Sequence, residues 1–326
     1  SDHDYRGVCI PPWEARHGLG SPFKQTDALD GDAVIFGLQR FMSLAADCNP
    51  NIIELLFVRD CDVIISTLAG DRLRAERERF LSRRAVHTFR GYAMSQLKRI
   101  RGHRDWLLDP PDHEPTREEF GLPETSTIPA DQRAAAEAAI KRRLDLWSGI
   151  DFGPMPDPEK RALRDKIATI LAEQSIGSAG QFAAAARIEG VPGDWLQALE
   201  RERRYRAALK RWKQFREWER NRNPARAALE AAHGYDCKHA SHLVRLMRMC
   251  REILTSGRVI VHRPDAAELL AIRNGSMSYD ELITWAEAED EALLVLSESS
   301  PLPKRPDFKA LDLLCRDLFS EYGGRS

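Results

Sequence analysis

Three carboxylates in the first part of the chain have the residue types of a metal site. Asp2 and Asp4 are one residue apart, so an extended strand would place both side chains on one face, although a solvated terminal turn also explains such a pair. Glu54 lies in the apolar run 52–58, which has strand length and would bury the acid on a central strand. A buried carboxylate needs a Lys or Arg, a hydrogen-bond network or a cation beside it. If the two strands are neighbours, the three acids converge on one or two Mg²⁺ or Mn²⁺ ions, which can activate a hydroxyl and neutralise nucleotide phosphates.

A second group of polar residues lies in the stretch 236–257, which has helical periodicity and ends at a glycine. Lys238, His242 and Arg245 are spaced i, i+4 and i+7 and therefore share one helix face. The opposite face is apolar and consists of Leu243, Leu246, Met247, Cys250, Ile253 and Leu254. The pattern is typical of an amphipathic helix with a solvated basic side, and it is compatible with a basic face that binds phosphate.

The middle of the chain carries a helix rich in basic and aromatic residues. Between Arg201 and Arg226 there are eleven Lys or Arg residues against three Glu, whereas the whole chain has a net charge of −1. Its aromatic residues (Tyr205, Trp212, Phe215 and Trp218) are more typical of a stripe packed on a neighbouring helix than of a platform that stacks bases. The basic side is a candidate nucleic-acid surface, with Arg204, Lys210, Arg211 and Lys213 as the expected contacts.

Composition excludes several classes of protein. No stretch approaches the roughly 18 apolar residues that cross a bilayer. Six scattered cysteines without a CxxC pair favour a reducing, cytoplasmic environment over a disulfide framework. Cys237, His239 and His242 also suggest a zinc site, but no second group with matching spacing accompanies them.

Several separated blocks occur in the order found in a known superfamily. They are "SDHDYRG" at the start, "GDAVIFGLQRFMSLAADCNPNIIELLF", "FLSRRAVHTFRGYAMSQLKRI" and the long block that begins "GYDCKHASHLVRLMRMCREIL". In these blocks the chain resembles the polymerase-β-type nucleotidyltransferases, and more narrowly a group of predicted bacterial and phage members linked with RNA repair. The resemblance covers roughly residues 1–103 and 233–295.

The resemblance implies an α+β fold, in which a small mixed sheet with flanking helices joins a large helical domain with a helical insertion. It implies a truncated catalytic core at 1–70, a helical domain at 71–103 and 233–326, and a charged insertion at 104–232. Within the family a Gly-Ser precedes the two acids, and it is absent here. We therefore expect a helix and a strand upstream of Ser1. Without them this chain has the expected metal ligands but lacks the segment that holds the triphosphate.

The resemblance also implies roles for individual residues. Asp2, Asp4 and Glu54 would hold the metal ions, and Lys238 would contact the triphosphate with His242 beside it. Arg245 would either assist Lys238 or pair with an acid. Tyr92 and Gln96, one turn apart on another helix, either face the nucleotide or pack in the core.

Taken together, these features predict a metal-dependent nucleotidyltransferase that moves a nucleoside monophosphate from a nucleoside triphosphate to a hydroxyl, with release of pyrophosphate. RNA is the favoured acceptor. One alternative is transfer to a protein hydroxyl, as in toxin-like nucleotidyltransferases. Another is an RNA-binding homologue without catalytic activity. The sequence does not fix the oligomeric state.

Overall fold

The structure is a computed structural model that describes residues 5–17, 23–28, 33–126, 128–148 and 178–323. The strands are β1 (Tyr5–Cys9), β2 (Gln25–Ala28) and β3 (Ala33–Gly37). The helices before the middle of the chain are α1 (Trp13–His17), α2 (Leu38–Ala46), α3 (Pro50–Leu56), α4 (Leu68–Ala75), α5 (Arg84–Leu108) and α6 (Ala130–Ser148). The later helices are α7 (Ser178–Ile188), α8 (Gly193–Arg220), α9 (Pro224–His233), α10 (Cys237–Ser256), α11 (Ala266–Arg273), α12 (Tyr279–Ser299) and α13 (Phe308–Tyr322).

These elements form two compact units, one from Ser1–Asp109 with Asn223–Ser326 and the other from Pro110–Arg222. The first unit contains the small sheet and the helices around it, and the second is helical over its described residues. The predicted α+β class, with a small mixed sheet and a large helical part, is therefore confirmed.

The sheet has the order β1-β3-β2. β1 runs parallel to β3 with Tyr5 opposite Ala33, and β2 runs antiparallel to β3 with Gln25 opposite Phe36. β3 passes directly into α2 at Gly37, whose amide donates to Lys24 O at 2.9 Å. A side chain at Gly37 would meet Phe23 O at 3.0 Å, which explains the glycine at this close approach of two backbone segments.

The core of the first unit is built around α10. Ten of its residues are buried, including the predicted apolar face from Leu243 to Leu254, so the amphipathic pattern is confirmed. The helix begins at the N-cap Asp236 and ends at Gly257, which takes the left-handed φ of 63° that glycine adopts without strain. α10 packs against α5, α11 and α12.

Two predictions of local structure are wrong. The run 52–58 is not a strand, because Pro50–Leu56 forms helix α3. The segment "SGRVIVHRPD" at 256–265 has the apolar residues expected of a short strand or hairpin edge, but residues 257–265 form an irregular connection between α10 and α11. Here Arg263 is buried between Glu252 and Asp265, so ion pairs rather than a strand ladder hold the segment.

Candidate functional site

Glu54 lies on helix α3, where the residues before it explain the helix. The side chain of Asn49 accepts a hydrogen bond from the amide of Asn51 at 3.1 Å, and Pro50 occupies the first helical position. An Asn cap followed by proline favours the start of a helix, because the cap satisfies a backbone donor and proline has no amide to leave unpaired. The sequence Asn-Pro-Asn therefore contained the signal, which the apolar run after it obscured.

Glu54 is paired with Arg245 of α10. The distance from Arg245 Nη2 to Glu54 Oε2 is 2.5 Å, and the two side chains are 26% and 17% exposed. The expectation that Glu54 needs a partner is met by an arginine, one of the alternatives raised by the sequence. Among the described residues, the second oxygen, Oε1, accepts no hydrogen bond, which leaves it as a candidate ligand oxygen for a hard divalent cation.

The basic residues of α10 and α5 face a common surface. Lys238 is exposed, whereas His242 and Arg245 are half-buried. Arg99, on α5, lies close enough to His242 to act on its charge, together with Lys238 and Arg245. We call Glu54, Arg99, Lys238, His242 and Arg245 the polar strip. Arg99 was missed by the sequence analysis, although it follows Tyr92 and Gln96 at helical spacing.

His242 is the neutral member of the polar strip. Burial is the largest cause that lowers the pKa of His242, and the nearby Arg245, His239, Lys238 and Arg99 add to it by repelling a further positive charge; together they bring the pKa to about 4. At neutral pH the imidazole is therefore uncharged and offers one donor and one acceptor. The strip combines permanent cations with a neutral hydrogen-bonding group, which suits a polyanionic ligand that also has hydroxyl groups.

Tyr92 and Gln96 lie on the same side of α5. The hydroxyl of Tyr92 accepts a hydrogen bond from Asn49 Nδ2 at 3.0 Å. Asn49 is the residue whose side chain caps α3, so Tyr92 helps to hold that cap in place. Gln96 is 7% exposed. Both placements fit the packing alternative, and contact with a nucleotide remains a prediction.

Asp2 and Asp4 lie outside the described residues. The strand that follows them is connected to α3, because Arg6 Nη1 donates to Asn51 O at 3.1 Å. Asn51 is one turn before Glu54 on the helix. β1 and the helix that carries Glu54 are thus direct neighbours.

The trio Cys237, His239 and His242 is not brought together. The Cys237 thiol is buried and donates to Tyr235 O at 3.6 Å, and burial raises its pKa. His239 instead faces Asp236, whose carboxylate also contacts His103. Burial alone would raise the pKa of Asp236, but hydrogen bonds from His103 and His239 outweigh it and hold that pKa well below its usual range.

In the second unit, Arg204, Lys210, Arg211 and Lys213 are exposed on α8, and we call them the basic face. Phe215 is buried, with Trp212 and Trp218 half-buried on either side at ring distances of 6.1 and 5.9 Å. The guanidinium of Arg216 lies 5.5 Å from the Trp212 ring. An open cleft of about 670 Å³ adjoins this cluster, and its lining includes Trp212, Lys213 and Arg220. The aromatic residues thus pack on one another while some of their surface stays accessible.

The comparison with known families concerns the first third of the chain. Residues 1–106 match the family model RlaP, described as the RNA repair pathway DNA polymerase beta family. The resemblance stated from the sequence is confirmed over these residues, which include the sheet, α3 and nearly all of α5. No curated protein and no solved structure matches the chain. None of the described helices is both long and apolar enough to cross a membrane.

Proposed function

We propose that this protein is a nucleotidyltransferase that transfers a nucleoside monophosphate from a nucleoside triphosphate to a hydroxyl group of RNA. The observation that carries the proposal is the match of residues 1–106 to a polymerase-β-type family of RNA repair, in a unit that also holds the polar strip. RNA as the acceptor rests on that family description and on the basic face of α8.

The polar strip supports the proposal by its chemistry. Lys238 and Arg99 are exposed cations that can contact phosphate oxygens, Lys238 as a point charge and Arg99 through a planar fork. Neutral His242 can hydrogen bond to phosphate or ribose without adding a positive charge. The pair with Glu54 fixes the guanidinium of Arg245 beside these groups.

The residues present fit a magnesium ion. Carboxylate oxygens are its preferred protein ligands, and Glu54 keeps Oε1 available while Arg245 holds Oε2. Asp2 and Asp4 are proposed as the other two ligands from the sequence. Magnesium or manganese, when bound, would neutralise phosphate charge and lower the pKa of the acceptor hydroxyl. The residues of the chain then orient the triphosphate and the acceptor.

The experiment is transfer of label from α-³²P-labelled nucleoside triphosphates, with Mg²⁺ or Mn²⁺, in a mixture that contains single-stranded RNA and the protein itself, expressed from its full-length gene. We expect labelled RNA, and loss of labelling in the Asp4→Ala variant. The matched control is Asp27→Ala, which removes an exposed carboxylate from β2 of the same sheet and should leave labelling unchanged.

Each other outcome decides against part of the proposal. Label that appears on protein and not on RNA would establish transfer to a protein hydroxyl. RNA binding without any label transfer, with Asp4 intact and both metals tried, would favour the RNA-binding homologue. Equal labelling by wild type and Asp4→Ala would overturn the proposed metal ligands.

A further inference from the structure

The N-terminus of α10 meets the C-terminal half of α5 in a cluster that nucleotide transfer does not use. His103 on α5, the N-cap Asp236 and His239 on α10 each present one ligand atom, and these atoms lie within 4.8 Å of one another. Both imidazole Nδ1 atoms face the same carboxylate oxygen, at 3.3 Å for His103 and 2.6 Å for His239. We call these three residues the His–Asp–His cluster.

We propose that the His–Asp–His cluster binds one divalent transition-metal ion of the zinc class, which joins α5 to the start of α10. The ligands are Nδ1 of His103, Nδ1 of His239 and a carboxylate oxygen of Asp236. The site shares no residue with the proposed magnesium ligands, so it stands or falls separately from nucleotide transfer.

The distances suit such an ion. Zinc binds imidazole nitrogen and carboxylate oxygen at about 2.0–2.2 Å, so the ligand atoms of a tetrahedral site are about 3.3 Å apart. The Oδ2 atom of Asp236 lies at that distance from Nδ1 of His103, at 3.3 Å, and somewhat closer to Nδ1 of His239, at 2.6 Å, so a small rotation of a side chain brings the second pair to the same value. Mixed nitrogen and oxygen ligands favour zinc-class ions over magnesium. Three protein ligands leave a fourth position for water, as in zinc sites that do chemistry.

The charges of the cluster also favour a cation. The Asp236 side chain is 1% exposed, and its ion-pair partners among the described residues are the two histidines, which carry charge only when protonated. A buried carboxylate without a compensating positive charge is costly. A divalent ion supplies that charge while both imidazoles stay neutral. The competing explanation is a proton shared between Asp236 and one histidine.

The surroundings hold the ligands in place. The second oxygen of Asp236, Oδ1, accepts a hydrogen bond from the His239 amide at 3.1 Å, which caps α10 and fixes the carboxylate. Trp106 stacks on the His103 ring with centroids 5.5 Å apart. The histidine side chains are 16% and 17% exposed, so an ion and a water can reach them. Ligands fixed in this way lose little conformational freedom when a metal binds.

The test is calorimetric titration of the chelator-treated full chain with Zn²⁺, together with its thermal unfolding. We expect one ion per chain at this site and a rise in Tm of about 5 °C at saturating metal. Asp236→Asn keeps a side chain that caps helices well, and His103→Gln keeps a hydrogen-bond donor, so both should fold. Each should weaken Zn²⁺ binding about 100-fold or more.

The matched control is His87→Ala, which removes an exposed histidine from the same helix as His103. It should bind Zn²⁺ as the wild type does, and circular dichroism should show equal helix content in all variants. Substitution of Co²⁺ adds a second measurement, since its visible absorption changes when imidazole binds. Failure of the wild type to bind Zn²⁺, or unchanged binding by His103→Gln, would overturn the site and leave the shared-proton network.

Discussion

The polar strip of the first unit and the basic face of the second unit both present positive charge, but they do so differently. In the strip, Arg245 is half-buried and ion-paired, and His242 is kept neutral by burial and, to a smaller extent, by its cationic neighbours. On α8, the basic face is exposed along one helix, while the neighbouring Arg206 and Arg216 pair with Glu137 and Glu219. The first arrangement fixes the position of each charged or polar group, and the second distributes positive charge over the exposed surface of a helix. We therefore expect the polar strip to select its ligand by shape. We expect the basic face to bind RNA of many sequences with an affinity that falls as the salt concentration rises.

The largest effect should come from Arg245→Ala, which removes a cation of the strip and leaves Glu54 unpaired. We expect about a 100-fold fall in the rate of nucleotide transfer, the scale seen when one fixed charge-stabilising donor is lost. The rate for Arg245→Lys should lie between the rates for Arg245→Ala and the wild type, because lysine keeps the positive charge but not the planar guanidinium. Single-turnover transfer at saturating triphosphate measures the effect.

A control for this change lies on the same helix. Arg251 pairs with Glu289 at 2.6 Å, and its side chain is 45% exposed. Arg251→Ala should leave the rate within a factor of about two, because Arg251 lies outside the polar strip and loss of its partly exposed ion pair costs little stability. A similar loss of transfer rate in Arg245→Ala and Arg251→Ala would mean that the effect is structural. Arg245 would then have no specific role in nucleotide transfer.

Replacing the four residues of the basic face by alanine should weaken RNA binding and its dependence on salt. Each phosphate contact on a single strand contributes about 0.7 to the slope of log K against log salt. Four lost contacts therefore reduce the slope by about 2.8. Fluorescence anisotropy with a labelled single strand, repeated at several salt concentrations, measures the slope.

The matched variant replaces four exposed basic residues of the first unit, namely Lys304, Arg305, Lys309 and Arg316. It changes the net charge by the same amount, and we expect it to leave the salt slope close to the wild-type value. Equal reductions in both variants would show that net charge, rather than the face on α8, determines RNA binding.

The neutral state of His242 should make the protein less stable in acid. The pKa of His242 is near 4 in the folded protein and near 6.5 in the unfolded chain, so the unfolded chain binds the proton first as the pH falls. The stability from this residue is complete above about pH 6.5 and is lost between there and pH 4. We expect His242→Gln to reduce the loss between pH 7 and 4.5 by about 1 kcal/mol, after allowance for solvent screening. Urea unfolding at both pH values tests this, with His87→Gln as the control.

An effect as small as that of His242→Gln should come from Tyr92→Phe, which removes the hydroxyl that accepts a hydrogen bond from Asn49. We expect a loss of about 1 kcal/mol in the free energy of unfolding, the usual contribution of one hydrogen bond. Affinity for triphosphate should stay the same if Tyr92 serves packing. A drop in affinity larger than that of Tyr322→Phe, an exposed tyrosine of α13, would instead place Tyr92 at the nucleotide.

The sequence predicts the structure correctly where the local apolar pattern of a helix matches the face that packs in the core. The apolar face of α10 and its glycine end follow from periodicity and capping, and both are observed. The prediction failed for 52–58, because a seven-residue apolar run fits a buried strand and a buried helix equally well. The pairing of Glu54 with Arg245 joins residues far apart in the chain, and periodicity within one helix cannot indicate its partner.

The same limit explains the His–Asp–His cluster. From the sequence, His239 groups with Cys237 and His242, which are its neighbours in the chain. The structure pairs His239 with the helix cap before it, Asp236, and the same carboxylate also contacts His103 of α5. Asp236 could have been recognised as a cap from its position at the start of the helix. The contribution of His103 depends on the packing of α5 against α10.

The order in which the first unit is synthesised has a consequence. The buried face of α5 packs against α10, but the chain between them, from Pro110 to Asp236, is 127 residues long. At about 5–20 residues per second, the ribosome needs roughly 6–25 s to make that segment. During this time Val86, Phe89, Leu97 and Ile100 have no α10 to cover them. Until α10 emerges, the apolar face of α5 therefore lacks the helix that covers it in the folded unit.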